Sequence, residues 1–135
     1  MLQPHPNLSD EINAQLVDSE VLGGVWLEDH PSFVSEDIKK QPVLPIGHSL
    51  EIQTANTFYL LEKREDGFYI SGNAKYCPKP VKCYVHGSTW GGSMIKINFV
   101  GLGMHLEFDT VDHPDSILTT EIRSIKEVFP EGRKH

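Results

Sequence analysis

From Ser49 onward, apolar side chains recur at every second position; before it they do not. A period of two marks strands, whose successive side chains point to opposite faces. The pattern predicts strands at 49–54 (SLEIQT), 57–63 (TFYLLEK), 68–72 (FYISG), 81–88 (VKCYVHGS), 93–100 (SMIKINFV), 104–110 (MHLEFDT) and 117–128 (ILTTEIRSIKEV). The last is rich in β-branched residues, which suit a pleated surface. The first two join near Ala55-Asn56, and REDG at 64–67 and HPDS at 113–116 read as turns. KYCPKP is irregular, because Pro78 and Pro80 have no N–H to give a ladder. About seven strands with short connections predict an all-β fold, a small antiparallel barrel or sandwich over residues 47–129.

Parity within the strands predicts which side chains are buried. Val81, Cys83 and Val85 form one apolar set, Ile95, Ile97 and Phe99 a second, and Met104, Leu106 and Phe108 a third. The opposite parity carries Lys82, Tyr84, His86, Lys96, Asn98, His105, Glu107 and Asp109, a polar face. A two-residue turn at Gly101-Leu102 would pair Phe99 with Met104 and Ile97 with Leu106, keeping both apolar sets on one face. Glycine at the first central position suits a type II′ turn. The same register sets Asn98 opposite His105 and Lys96 opposite Glu107, an ion pair of roughly 0.2–1 kcal/mol. STWGG, residues 88–92, then reads as a hairpin loop with Trp90 at its tip, since glycine tolerates positive φ.

The first 46 residues follow another pattern. Leu8, Ile12 and Leu16, with Val17 and Val21 nearby, make one apolar stripe at helical spacing, predicting an α-helix over 7–21. Asn7 or Ser9 caps it, Asp10 and Glu11 suit its positive end, and Gly23-Gly24 stops it. VWL at 25–27 reads as a short strand and SEDIKK as one helical turn, within a connector broken by Pro31, Pro42 and Pro45. Residues 130–135 form a polar tail. The helix stripe needs a surface to cover it: the rest of this chain, or a protein partner or second copy.

Charge narrows the partners. The formal net charge is −7; residues 1–45 hold eight acidic residues and two lysines. Such an arm repels phosphate backbones, which disfavours nucleic acid. Lys75, Lys79 and Lys82 read as a solvated loop and strand edge. No apolar run approaches the roughly 20 residues of a membrane helix, and MLQPHPNLSDE does not read as a signal peptide, so a cytoplasmic location and no membrane contact are expected. Cys77 and Cys83 make no disulfide framework and are expected to stay reduced.

Metal and catalytic chemistry have little to stand on. Cys83 and His86, three apart in one strand, point to opposite faces, and Cys83 fits a buried small hydrophobe. His86 and His105 share a face with Glu107 and Asp109, so a metal-dependent enzyme using His86, His105 and Glu107 is one alternative. Ser88 lies near His86 without an acid at a recognisable spacing. GSTWGGS leads into a strand rather than a helix and lacks Gly-Lys-Ser/Thr, unlike a phosphate loop. No catalytic residue, resident metal or cofactor is implied.

The run from His86 through Ser88, Trp90, Gly91 and Gly92 to Ile95 resembles the second signature of PilZ domains, Asp/Asn-x-Ser-x-x-Gly before an apolar strand. Ser88 and Gly91 match it. PilZ domains are small antiparallel barrels that bind cyclic di-GMP, so the resemblance implies a barrel and, as a second alternative, a small-ligand receptor for cyclic dinucleotides. His86 occupies the acidic or amide position. The family's upstream Arg-x-x-x-Arg is missing, Arg64 being the only arginine before the motif, so the bidentate grip on guanine and phosphate is lost. The Gly87–Ser93 hairpin is also similar to that of small bacterial β proteins with no assigned activity. The leading expectation is a non-catalytic binding or interaction module. Its candidate ligand residues are Tyr84, His86, Ser88, Trp90, Gly91, Lys96, Asn98, His105 and Glu107, with Trp90 as an exposed aromatic anchor.

Overall fold

The computed structural model describes residues 19–28, 40–91 and 95–130. The period-two segments fold as strands: β3 (Ser49–Thr54), β4 (Phe58–Arg64), β5 (Gly67–Ser71), β6 (Val81–Thr89), β9 (His105–Thr110) and β10 (Ile117–Val128). These six pair antiparallel in the order β3-β4-β5-β6-β9-β10, and β10 returns to β3, closing a barrel. Inside lie Leu50, Ile52, Leu61, Ile70, Leu106, Phe108, Ile122 and Ile125, all fully or almost fully buried. Tyr59 meets Phe108 edge to face across the interior, ring centroids 5.8 Å apart. Among the described residues no helix is long and apolar enough to cross a membrane.

The N-terminal region departs from expectation. Ser19–Val21, the end of the predicted helix, form strand β1, which pairs with Lys126–Val128 of β10; residues 7–18 lie outside the described residues. The reason is an open edge. β9 covers β10 only along Ile117–Glu121, and β1 takes up the same edge further on, where unpaired backbone groups would otherwise stand free. Strand β2 (Gly24–Trp26) follows and carries part of the expected VWL strand. The Lys63 ammonium, inside the barrel, donates to the carbonyls of Leu27 (2.5 Å) and Leu44 (2.8 Å), tying this flank to the wall. His48 Nδ1 donates to the Glu127 carboxylate at 2.5 Å, a second buried polar pair.

The expected strand at 93–100 is not one strand. Lys96–Ile97 (β7) pairs with Gly87–Ser88 of β6, and Phe99–Gly101 (β8) pairs with β2. Between them Asn98 has φ 62°, the left-handed region that asparagine tolerates best after glycine. This breaks the parity. Phe99 is buried, Ile95 half-buried, and Ile97 61% exposed. The expected pairings of Ile97 with Leu106, Asn98 with His105 and Lys96 with Glu107 do not form, because β6 and β10 occupy both edges of β9. The turn also shifts by one residue. Met104 N–H donates to Gly101 O (3.2 Å) across Leu102-Gly103, with Gly103 at φ 81°, where a type II turn needs positive φ. Phe99 and Met104 join Trp26 in a second cluster, with the Trp26 and Phe99 rings 4.9 Å apart.

Strand β6 breaks parity too. Val85 pairs with Phe108 and Gly87 with Glu107, leaving His86 as the extra residue of a bulge. Beyond it Ser88 faces inward and is fully buried, and the strand runs to Thr89, past the expected loop start. Gly87 has φ 142°, and a Cβ there would overlap the carbonyl oxygen of Lys96. Gly87→Ala is therefore expected to lower unfolding stability by about 2 kcal/mol or more in urea titration. Gly23→Ala, with open space around it, serves as the near-neutral comparison; equal effects would show that the bulge tolerates a side chain.

Candidate functional site

One row of side chains crosses the barrel wall near its open end. Lys63 on β4 pairs with Phe68 on β5, Phe68 with Cys83 on β6, and Cys83 with Thr110 on β9. Beside this row lies a cleft of about 650 Å³, within the size range of small-ligand sites. Phe68, Cys83, Val85 and Thr110 line it from the barrel, Glu28 and Asn98 from the flanking segments, and Gly67, Lys82, Tyr84, Asp109 and Val111 complete it. Its surface is mainly apolar.

Two of its lining residues stand out. Burial, with Cys77 adding to it, pushes the Cys83 thiol up to about 12, so it is a neutral, weakly polar group rather than a nucleophile. Thr110 is only 6% exposed, and its Oγ1 has no hydrogen-bond partner among the described residues. Leaving a buried hydroxyl unpaired costs about 1–3 kcal/mol, so the position calls for an explanation.

The charges around the cleft are paired. Glu28 lies 3.6 Å from the Lys63 ammonium, and Lys82 lies 3.9 Å from Asp66. Asp109 accepts hydrogen bonds from Ser116 Oγ (2.5 Å) and from His86 Nε2 (2.9 Å). The Ser116 hydroxyl above all holds the Asp109 carboxyl below the usual carboxylate range; burial opposes it, and the His86 imidazole adds a smaller lowering. Tyr84 packs edge-on against His86, ring centroids 4.9 Å apart. This grouping contains a serine, a histidine and an acid, but the acid sits in the middle. The serine donates to the carboxylate, so the imidazole does not take up its proton as a nucleophile's base would.

The expected ligand residues scatter. Tyr84 and Asn98 line the cleft, and His86 stands beside it on Asp109. Ser88 Oγ donates to Phe99 O at 2.6 Å inside the wall. Trp90 is 66% exposed with its ring edge against Gly103, and Gly91 follows it at φ 108°. Lys96 lies opposite Ser88. His105 Nδ1 donates to Thr119 O at 2.9 Å, and Glu107 sits between Gly87 and Leu118. Cys83 belongs to the barrel core, on the other side of β6 from the His86–Asp109 pair. Among the described residues no three His, Cys, Asp or Glu side chains gather as metal ligands would.

Parity missed Phe68, Thr110 and Glu28. Thr110 had a signal: it is the one polar residue on the Met104, Leu106, Phe108 face. Glu28 had none, because a distant lysine places it. Compared with family models, curated proteins and solved structures, the chain finds no match.

The Asp109 carboxyl carries a pH signature. Its folded pKa lies below the unfolded value of about 4, so its contribution to stability is complete above that value and is lost as pH falls through the lower folded one. A carboxyl-carbon NMR titration should place the Asp109 midpoint below that of an ordinary aspartate, and Ser116→Ala should raise it. A midpoint unmoved by Ser116→Ala would remove the serine as the main cause.

Proposed function

We propose that the protein is a non-catalytic binding module whose small ligand enters the cleft beside β5, β6 and β9. The observation that carries this reading is the cleft itself, about 650 Å³ and mainly apolar, with Phe68, Cys83 and Val85 in its lining. A ligand there would cover the carbon surface of Phe68 and Val85. The neutral Cys83 thiol, and a histidine whose neighbouring serine serves the acid instead, favour binding over turnover.

The cyclic-dinucleotide alternative has weaker support. It rests on Ser88 and Gly91, but the Ser88 hydroxyl is committed to Phe99 O, and Glu28 and Asp109 at the cleft oppose phosphate. Trp90 remains a candidate anchor for a protein partner.

Amide chemical-shift mapping with a diverse fragment library tests the cleft. Hits are expected to move the amides of Phe68, Cys83, Val85 and Val111 together. Hits confined to the surface around Trp90, or tight binding of cyclic di-GMP away from the cleft, would overturn the assignment.

A further inference from the structure

Asp66 is the only aspartate in the chain followed by glycine, and no asparagine is. At such a junction an aspartate converts most readily to isoaspartate, because glycine carries no side chain to shield its amide nitrogen. The hairpin between β4 and β5 is built on it. Arg64 pairs with Gly67, so Glu65 and Asp66 form a two-residue loop, and both are exposed. Gly67 stands at φ 135°, a conformation that strains any side chain, and a Cβ there would also meet Lys82 Cε at 3.2 Å. The turn therefore requires the one residue that leaves Asp66 labile.

A second set of contacts acts on the carboxyl. The Tyr69 hydroxyl donates to Asp66 Oδ2 at 2.8 Å. Lys82 Nζ lies 3.9 Å from the same oxygen, and the Arg64 guanidinium covers the Tyr69 ring, 4.0 Å from its centroid. The Tyr69 hydroxyl above all holds the Asp66 carboxyl below the usual carboxylate range; desolvation opposes it, and Lys82 and Arg64 add smaller lowerings. An ionised, hydrogen-bonded carboxylate is a poor electrophile. The Gly67 nitrogen can attack only the uncharged acid, with the carboxyl turned back toward the main chain.

We infer that Asp66-Gly67 is a site of spontaneous isoaspartate formation whose rate the Tyr69 hydroxyl restrains. The Gly67 nitrogen bonds to Asp66 Cγ, and the carboxyl OH leaves with the amide proton as water, closing a succinimide. Water then adds to the main-chain carbonyl carbon of Asp66. The bond from that carbon to the Gly67 nitrogen breaks, and the chain runs on through Cβ and Cγ. One water leaves and one enters, so no other reactant is needed. The main chain gains one atom in the loop that sets Lys63 opposite Phe68, so the modified hairpin loses that register.

The test holds the full chain, Tyr69→Phe and Asp66→Glu in warm neutral buffer and locates isoaspartate by fragmentation mass spectrometry of digests. Position 66 is expected to be the main site, and Asp66→Glu to form none there. Tyr69→Phe, which keeps a ring on Arg64, should accumulate it about fivefold faster, the scale of one hydrogen bond. A pH profile separates the hydroxyl from a merely looser turn. The rate falls as the carboxyl ionises, and in Tyr69→Phe that fall should move to higher pH, because the main cause of the lowered carboxyl has gone. A looser turn would leave its midpoint in place. Isoaspartate concentrated at another aspartate, none at position 66 in either chain, equal rates in the two, or a faster rate with an unmoved midpoint would overturn the inference.

Discussion

Strand β9 holds this structure together, because it pairs along both edges at once. One edge meets β6 from Cys83 to Thr89, and the other meets the first part of β10. Without it the sheet would be an open ribbon with two exposed edges. With it, the alternating side chains of six strands turn inward on a common interior. Its sequence fits a strand paired on both sides. Leu106 and Phe108 fill the core, while His105 and Glu107 alternate with them and are only partly buried. The other departures from regularity follow from fitting this strand. The bulge at His86-Gly87 lets β6 keep its register with β9 and still receive β7 on its far edge. Strand β1 completes the edge of β10 that β9 leaves uncovered.

The cleft arises where this closure ends. Thr110 is the last residue of β9, so its inward side chain falls at the margin of the core, not in its middle. Phe68 and Cys83 lie in the same row. Glu28 is drawn over them by the Lys63 ammonium, which also bonds the neighbouring Leu27 and Leu44 carbonyls. A lysine so deeply placed is tolerable only with such partners. Its hydrogen bonds therefore stabilise the flank and shape the recess in one arrangement.

Much of the barrel could be read from alternation alone. Ser49–Thr54 and Ile117–Val128 came out with their observed bounds, and the strands at Phe58–Arg64 and Val81–Thr89 within a residue of theirs. Half-buried strands have a strong period, so their existence is legible. The misreadings came where one residue reset that period without altering the composition around it. Asn98 in a left-handed conformation and the extra residue His86 both do this. The hairpin expected across Gly101-Leu102 was sound as local chemistry, but distant strands already occupied the edges it needed. Tertiary pairing prevailed over a local turn preference. The site was less legible for the same reason. Tyr84 and Asn98 were placed by pattern, whereas Glu28 reaches the cleft only through contacts remote in sequence.

The central claim is that β9 closes the barrel, and inter-strand nuclear Overhauser effects read it directly. Backbone contacts between Val85 and Phe108 and between Glu107 and Leu118 should both be present, with none between Ile97 and Leu106. Backbone contacts joining Ile97 to Leu106 and Lys96 to Glu107 would contradict it, because β9 would then belong to a local hairpin and the barrel would stand open.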